Sequence, residues 1–225
     1  MISIVIPTLD EEACIAASLA RLQPLRSAGA EVIVADGGSR DATRVLAQPL
    51  ADRVVETARG RAAQMNAGAK ASRGDALLFL HADTELPPAA IEAVAAALRS
   101  RAWGRFDVTI SGAAPMLSVV AYFMNARSRL TGIATGDQAI FATRAAFEAA
   151  GGFPAIALME DVAISKALKR ISAPACLREK VVTSGRRWER HGVLRTIVLM
   201  WRLRLAYALG ADPARLASRY DRRSA

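Results

Sequence analysis

Three short stretches of this chain set a carboxylate where an apolar run or a glycine pair ends. In Ala76-Leu77-Leu78-Phe79-Leu80-His81-Ala82-Asp83-Thr84, large apolar residues follow a Gly-Asp turn and stop at a histidine and an acid. Such a run reads as a fully buried parallel strand, and open α/β sheets bind ligands at the carboxyl ends of their strands. An aspartate there, with an imidazole two residues earlier, suits a divalent cation and the diphosphate it neutralises. Capping of the helix that begins near Pro87 is the competing use of Asp83. Glu31-Val32-Ile33-Val34-Ala35 ends the same way, in Asp36-Gly37-Gly38-Ser39-Arg40-Asp41. Its glycines permit positive φ and close backbone approach. Two acidic strand ends together favour a nucleotide site over plain turns. The third stretch, Met159-Glu160-Asp161, follows the breaker Gly151-Gly152-Phe153-Pro154. Acids at a helix start suit the macrodipole, and one of them could equally be a base within reach of the group it deprotonates.

The elements that must carry these residues alternate. Ser3–Ile6 is a short strand broken by Pro7, and Asp10-Glu11-Glu12 is expected in the first turn of a helix with Ile15, Leu19 and Leu22 at helical spacing. The strand 31–35 follows, then a helix, then a short strand at 53–57. Gly60 to Ala69 reads as a helix of unusually small residues, able to lie close to the sheet or to a ligand, and Arg61 at its start can reach a phosphate or face solvent. Ile91, Val94, Ala95 and Leu98 give the next helix its buried stripe. Beyond residue 100 the pattern changes to a strand at 105–110, a helix at 116–130, a strand at 138–142 and a helix after Asp161. Strand and helix in alternation predict an α/β fold with a doubly wound, mainly parallel, Rossmann-like sheet.

Composition narrows the function classes. At 225 residues the chain can bury one sizeable core without staples. Cys14 and Cys176 form no metal spacing and no disulfide framework, which fits reduced thiols and a cytoplasmic location. The N-terminus enters a strand at once, as no signal peptide does, and no apolar run approaches the ~18 residues of a spanning helix. The net charge of +9 attracts anions, and arginines crowd the last fifth of the chain, from Arg186 to Arg223, interleaved with apolar residues as on a membrane-surface or acidic-substrate face.

Taken in order, Ile4-Val5-Ile6-Pro7-Thr8-Leu9-Asp10-Glu11-Glu12, Val34-Ala35-Asp36-Gly37-Gly38-Ser39-Arg40-Asp41, Gly74-Asp75 leading to Phe79-Leu80-His81-Ala82-Asp83-Thr84, Gly136-Asp137-Gln138-Ala139-Ile140-Phe141, Gly151-Gly152-Phe153-Pro154 and Met159-Glu160-Asp161 resemble the family-2 glycosyltransferases of GT-A fold, in particular the short single-domain bacterial members. The resemblance covers residues 1 to roughly 192 and rests on order and spacing, since each motif alone is weak. It implies a GT-A domain over 1–192, with a nucleotide-binding half to about residue 100 and an acceptor-binding half after it, followed by a basic helical extension over 193–225. It also implies inverting transfer of a sugar from a nucleotide diphosphate, UDP first among donors, to an acceptor hydroxyl, with Mn²⁺ or Mg²⁺.

Carried over residue by residue, the resemblance places Pro7, Thr8 and Glu11 against the nucleotide and Asp36 and Gly37 at the base. Arg61, with His81 and Ala82, would hold the nucleotide, Asp83 would ligate the metal, and Asp161 would be the general base with Glu160 toward the acceptor. The first acid of the family's Asp-x-Asp motif is His81 here, so its contact is altered or made by imidazole, or His81 is simply a core residue. Gly185-Arg186-Arg187-Trp188 only partly matches the Gln-x-x-Arg-Trp motif of processive members, which implies single-sugar transfer, with Gly136, Asp137, Arg187 and Trp188 on the acceptor or phosphate side. His191 lies where GT-A enzymes supply a late metal histidine.

Val193–Leu209 is apolar but interrupted by Arg195, Arg202 and Arg204, so it is not a clean amphipathic helix. Core packing or a homodimer contact competes with peripheral contact to anionic lipid at the inner face of the plasma membrane, which would suit a lipid-linked or cell-envelope acceptor. The alternatives are a catalytically degenerate nucleotide-sugar-binding relative and a basic nucleic-acid-binding protein. No aromatic-bearing nucleic-acid motif is visible, so no nucleic-acid partner is expected. A nicotinamide oxidoreductase is disfavoured because no G-x-G-x-x-G follows the first strand.

Overall fold

The computed structural model describes residues 1–221; Arg222 and Arg223 of the basic tail lie outside the described residues. Four parallel strands form the first half of the sheet: β1 (Ile2–Thr8), β2 (Glu31–Asp36), β3 (Arg53–Glu56) and β4 (Ala76–Phe79). The apolar runs of β1, β2 and β4 reflect burial on both faces, whereas β3, at the edge of the sheet, leaves Arg53 and Glu56 exposed. Ile4, Ile6, Val32, Val34 and Leu78 point to one core, with Ile15 and Leu19 of helix α1 (Ile15–Ser27) and Val94 of α4 (Ala90–Ala97). Val5, Leu77 and Phe79 alternate to the other, with Met65 of α3 (Arg61–Ala71), Phe147, Phe153 and Ile164. The small residues of α3 serve close packing against the sheet: a Cβ on Gly68 would fall 2.3 Å from Cγ1 of Val5. The short α2 (Thr43–Ala47) joins β2 to β3.

The second half mixes directions. β5 is Thr84–Glu85, β6 Trp103–Ser111, β7 Phe141–Thr143 and β8 Ala175–Ser184, and the sheet order is β3-β2-β1-β4-β7-β6-β8-β5. β7 runs antiparallel to both β4 and β6, β8 is parallel to β6, and β5 is antiparallel to β8. Helices α5 (Met116–Thr131), α6 (Arg144–Ala149), α7 (Glu160–Lys169), α8 (Arg186–His191), α9 (Val193–Ala208) and α10 (Pro213–Asp221) complete the chain. The architecture is thus a mainly parallel α/β sheet flanked by helices, of GT-A type, with a helical C-terminal extension.

Three expectations are corrected. Helix α1 starts only at Ile15, so Asp10, Glu11 and Glu12 belong to the preceding loop. Gln138 lies in a single 3-10 turn, Gly136–Gln138, and the following strand starts at Phe141. β8 has no counterpart in the sequence reading because Arg178, Glu179 and Lys180, all exposed, break its apolar pattern.

The extension packs on the domain. Leu203 of α9 and Leu216 of α10 cluster with Met159, the residue before α7, while Trp188, Val193 and Ile197 pack against α5.

Candidate active site

The acids after β1 are held by the loop after β2. Asp10 accepts the backbone N–H of Arg40 (2.8 Å) and Glu12 that of Ala42 (2.9 Å). In return Ser39, Thr43 and Asp41 accept the backbone N–H groups of Asp10, Glu11 and Glu12 at 2.9, 2.8 and 3.0 Å. This reciprocal lacing fixes two loops at the carboxyl edge of the sheet and leaves the Glu11 side chain free to face the cleft. Glu11 also accepts from the Cys14 thiol at 3.1 Å. Burial, that hydrogen bond and the Glu11 charge push the thiol up to about 12.

The cleft has a volume of about 680 Å³. It brings together Pro7, Thr8, Glu11, Arg61, His81, Ala82, Asp83, Asp137, Arg187, Trp188 and His191 of the expected site residues. Arg59, Gln64, Arg186, Arg190 and Tyr220 also line it and were not predicted as site residues. Gln64 is signalled only by its place one turn into the small-residue helix; its amide donates to the carbonyl of Thr8 and joins α3 to the end of β1. Tyr220 could not be foreseen, since it arrives from α10 and stacks under the Arg187 guanidinium, 3.8 Å from its ring centre.

Asp36, Gly37, Gly136, Glu160 and Asp161 are not part of that lining. The Asp36 carboxylate is fully buried, and its acceptor positions are taken by the hydroxyls of Thr8 and Ser39 and by the N–H groups of Gly38 and Ser39. A carboxylate has about four such positions, so accepting from a nucleobase requires the release of one internal donor. A Cβ on Gly37 would fall 2.9 Å from the Gln64 amide nitrogen, so the loop must pass close to α3.

His81 is neither a core residue nor a second metal acid. Its Nδ1 lies 3.4 Å from Oδ1 of Asp137, an ion pair when the imidazole is protonated. Its ring lies against Gly136, where a Cβ would come within 2.5 Å of the imidazole. Burial, the largest influence on Asp137, pushes its carboxyl up, but the His81 hydrogen bond and the charges of His81, Arg61 and Arg204 together hold it below the usual range.

The last acids stand on a strained frame. Met159 has φ 69°, Ala139 φ 46° and Asp10 φ 54°, all left-handed and none glycine, and all three are in loops at the carboxyl edge. Such strain persists where the surroundings enforce it, here through the packing of Met159 under Leu203 and Leu216. Asp161 accepts the N–H of Gly136 at 3.1 Å, which ties α7 to the His81–Asp137 turn. Glu160 is buried, and burial followed by the neighbouring Asp161 charge raises its carboxyl above the ordinary range, with Arg61 and His81 opposing.

Among the described residues no three His, Cys, Asp or Glu side chains converge as a ready metal cage. The donor set nonetheless fits Mg²⁺ or Mn²⁺ bound through a ligand. Such hard cations keep several waters and are held by one or two carboxylates plus substrate phosphates. The Asp83 carboxylate is open to the cleft, with Nη2 of Arg186 4.0 Å away.

Residues 3–144 match the sequence profile described as glycosyl transferase family 2. The undecaprenyl-phosphate 4-deoxy-4-formamido-L-arabinose transferase of Pseudomonas paraeruginosa is 35% identical over 99 residues, which are 39% of this chain and 29% of that relative's length. Among solved structures, a mannosyltransferase from Pyrobaculum calidifontis, in complex with GDP-Man and Mn²⁺, aligns over 91% of this chain and 60% of its own at 21% identity and a TM-score of 0.65. Glucosyl-3-phosphoglycerate synthase from Mycobacterium tuberculosis, with Mn²⁺, UDP and glucosyl-3-phosphoglycerate, aligns over 80% of this chain and 70% of its own at 22% identity and a TM-score of 0.58. At these identities the two structures speak to the fold alone.

Proposed function

The chain belongs to glycosyl transferase family 2, and from that premise we propose that it transfers one sugar, with inversion, from a nucleotide diphosphate to an acceptor hydroxyl. The observation that carries this reading is the cleft at the ends of β1 and β4, where the open Asp83 carboxylate faces Arg61, Arg186 and Arg187. That combination suits a nucleoside diphosphate and its cation, with UDP the first donor to test. Asp83 would hold the Mg²⁺ or Mn²⁺ together with the diphosphate oxygens, His191 lies on the same wall, and the cation would supply charge stabilisation for the departing diphosphate.

Residues of the chain do the rest. Arg61 and Arg186 bind the phosphates as charge-assisted donors. The lacing of the 10–12 and 39–43 loops and the buried Asp36 shape the nucleotide end. His81 and Asp137 with Gly136 position the donor–acceptor boundary, and Trp188 and Arg187 close the acceptor side. Asp161 takes the proton of the acceptor hydroxyl while that oxygen forms its bond to the anomeric carbon. The bond from that carbon to the diphosphate breaks on the opposite face, and its electron pair leaves with the nucleotide. Glu160, its carboxyl pushed up by burial and then by the Asp161 charge, stands beside the base and toward the acceptor.

The acceptor is proposed to be presented at a membrane, at the cytoplasmic face. Leu194, Val198, Trp201 and Leu205 are exposed along one face of α9 and Leu209 directly after it, with Trp201 73% and Leu209 79% accessible. Arg195 and Arg202 stand beside them in solvent, α9 carries no acid, and a groove lined by Leu194, Arg195 and Val198 shares Arg190, His191 and Thr196 with the cleft. No helix of the described residues is long and apolar enough to cross a membrane, so contact would be peripheral.

Calorimetric titration with UDP, GDP and dTDP, each with Mn²⁺ and with EDTA, tests the donor reading. Metal-dependent binding of one nucleotide that Asp83→Ala abolishes is the expected result. Failure of all three to bind a folded protein would favour the degenerate relative.

A further inference from the structure

Asp137 stands between the metal acid and the base. Its Oδ1 lies 3.4 Å from Nδ1 of His81, and His81 is two residues before Asp83, a separation of at most about 7 Å along the chain. On its other side Gly136, the preceding residue, donates its N–H to Asp161 at 3.1 Å. In the displacement proposed above, what lies between the diphosphate on its cation and the base is the sugar being transferred. Asp137 lines the same cleft as Asp83, so it borders the space that this sugar must fill.

The turn that carries Asp137 is built without its side chain. Gln138, fully buried, accepts the N–H of Thr135 at 3.2 Å and donates to the amide oxygen of Asn125 at 3.3 Å. Asn125 in turn exchanges two hydrogen bonds with the backbone of Val108 in β6, at 2.9 and 3.0 Å. Ser165 of α7 accepts the N–H of Ala134 at 3.1 Å. The Asp137 side chain is 44% exposed, and its Oδ2 has no hydrogen-bond partner among the described residues. Nor does Asp137 complete a cage with His81 and Asp83, since among the described residues no such triplet converges on a metal position.

His81 gives this carboxylate its place. An acid at position 81 would repel Asp137, whereas an imidazole N–H can donate to it. The ring is itself wedged against Gly136, where a Cβ would come within 2.5 Å of it. Against the upward push of burial, the His81 hydrogen bond helps to hold the Asp137 carboxyl below its usual range, and an ionised carboxylate only accepts. Oδ1 is engaged by His81, and Oδ2 is left for a ligand that donates.

We propose that Asp137 reads the transferred sugar, its carboxylate accepting from a hydroxyl of a neutral hexose on the nucleotide diphosphate and so setting which sugar is transferred. The assignment rests on the reading of Asp83 as metal ligand and Asp161 as base, since together they place the sugar. Hydroxyl to carboxylate is a charge-assisted bond, and a site built to bond a hydroxyl rejects the analogue that lacks it.

The test is calorimetric titration of the whole chain, in Mg²⁺, with UDP-glucose, UDP-galactose and GDP-mannose, each beside its bare nucleotide diphosphate. Asp137→Ala is expected to weaken the sugar nucleotide that binds by at least about tenfold and its bare diphosphate by less than about twofold. Asp137→Asn, which keeps one acceptor oxygen, should recover part of the loss. Among single-deoxy analogues of that sugar nucleotide, one missing hydroxyl should cost about tenfold in the wild type and nothing in Asp137→Ala. A turn merely loosened by the substitution would not cancel the cost of one particular hydroxyl. Equal weakening of sugar nucleotide and bare diphosphate overturns the assignment, and so does an Asp137→Ala variant that binds both as the wild type does. If no bare nucleotide binds a folded chain, the donor reading falls and takes this assignment with it; with diphosphate binding intact, either of the other two failures defeats this assignment alone.

Discussion

Nη2 of Arg186 stands 4.0 Å from Oδ2 of Asp83, and the same nitrogen is 3.9 Å from Oε2 of Glu11. Helix α8 thus lays a guanidinium between two carboxylates that come from the ends of different strands. Pairs this long and this exposed contribute little to stability, so the arrangement is better understood as a cation waiting for a diphosphate.

Arg186→Gln is expected to weaken UDP binding in Mg²⁺ by about tenfold, through loss of a charge-assisted contact, while Mg²⁺ alone binds no less tightly than before. Calorimetry reads both. Unchanged UDP affinity would remove Arg186 from the donor site.

Asp161→Asn should lower sugar transfer by about 10²–10⁴, the usual contribution of a positioned base. Nucleotide affinity should stay within about twofold, because Asp161 is outside the lining of the nucleotide cleft. An equal loss in nucleotide binding would point to a role in folding of the Gly136 turn instead.

Glu160 makes a prediction about pH. Its carboxyl is raised by burial first and by Asp161 second, so the native chain holds a proton that the unfolded chain releases. Stability tied to that proton is complete below the unfolded value and is lost as pH rises through the raised folded value. Glu160→Gln removes the penalty of the charged form, so thermal melts should show a gain in Tm at pH 8 that is absent at pH 4. The same gain at both values would show that ionisation is not its source.

For α9, a Trp201→Glu, Leu205→Glu double variant should lose cosedimentation with vesicles rich in phosphatidylglycerol. Wild-type binding should fall with salt and be weak on zwitterionic vesicles, as apolar burial combined with basic residues requires. A stable wild-type dimer in solution that the double variant dissociates would assign the same face to a second copy.

How much of this was legible in the sequence differs along the chain. β1, β2 and β4 announce themselves because strands buried on both faces must be continuously apolar, and the acids that end them were visible for the same reason. β8 was hidden because its middle, Arg178 to Lys180, is exposed at the sheet and keeps no apolar run. The apolar exposure of α9 was also obscure: Arg195 and Arg202 share a side in the sequence, but only packing shows that Leu203 faces inward while Trp201 and Leu205 stay exposed.

The sequence by itself determined the family, the strand–helix order and the identities of the carboxylates at the strand ends, because local burial patterns and turn chemistry are written in consecutive residues. Tertiary structure alone decided which side chains meet: His81 with Asp137, Glu11 and Asp83 with Arg186, and Tyr220 with Arg187. Those meetings depend on the antiparallel β7 lying between β4 and β6, and on α8 to α10 folding back over the cleft. Nothing in the spacing of residues so far apart encodes a distance between them. It is the sheet order and the packing of Met159, Leu203 and Leu216 that set it.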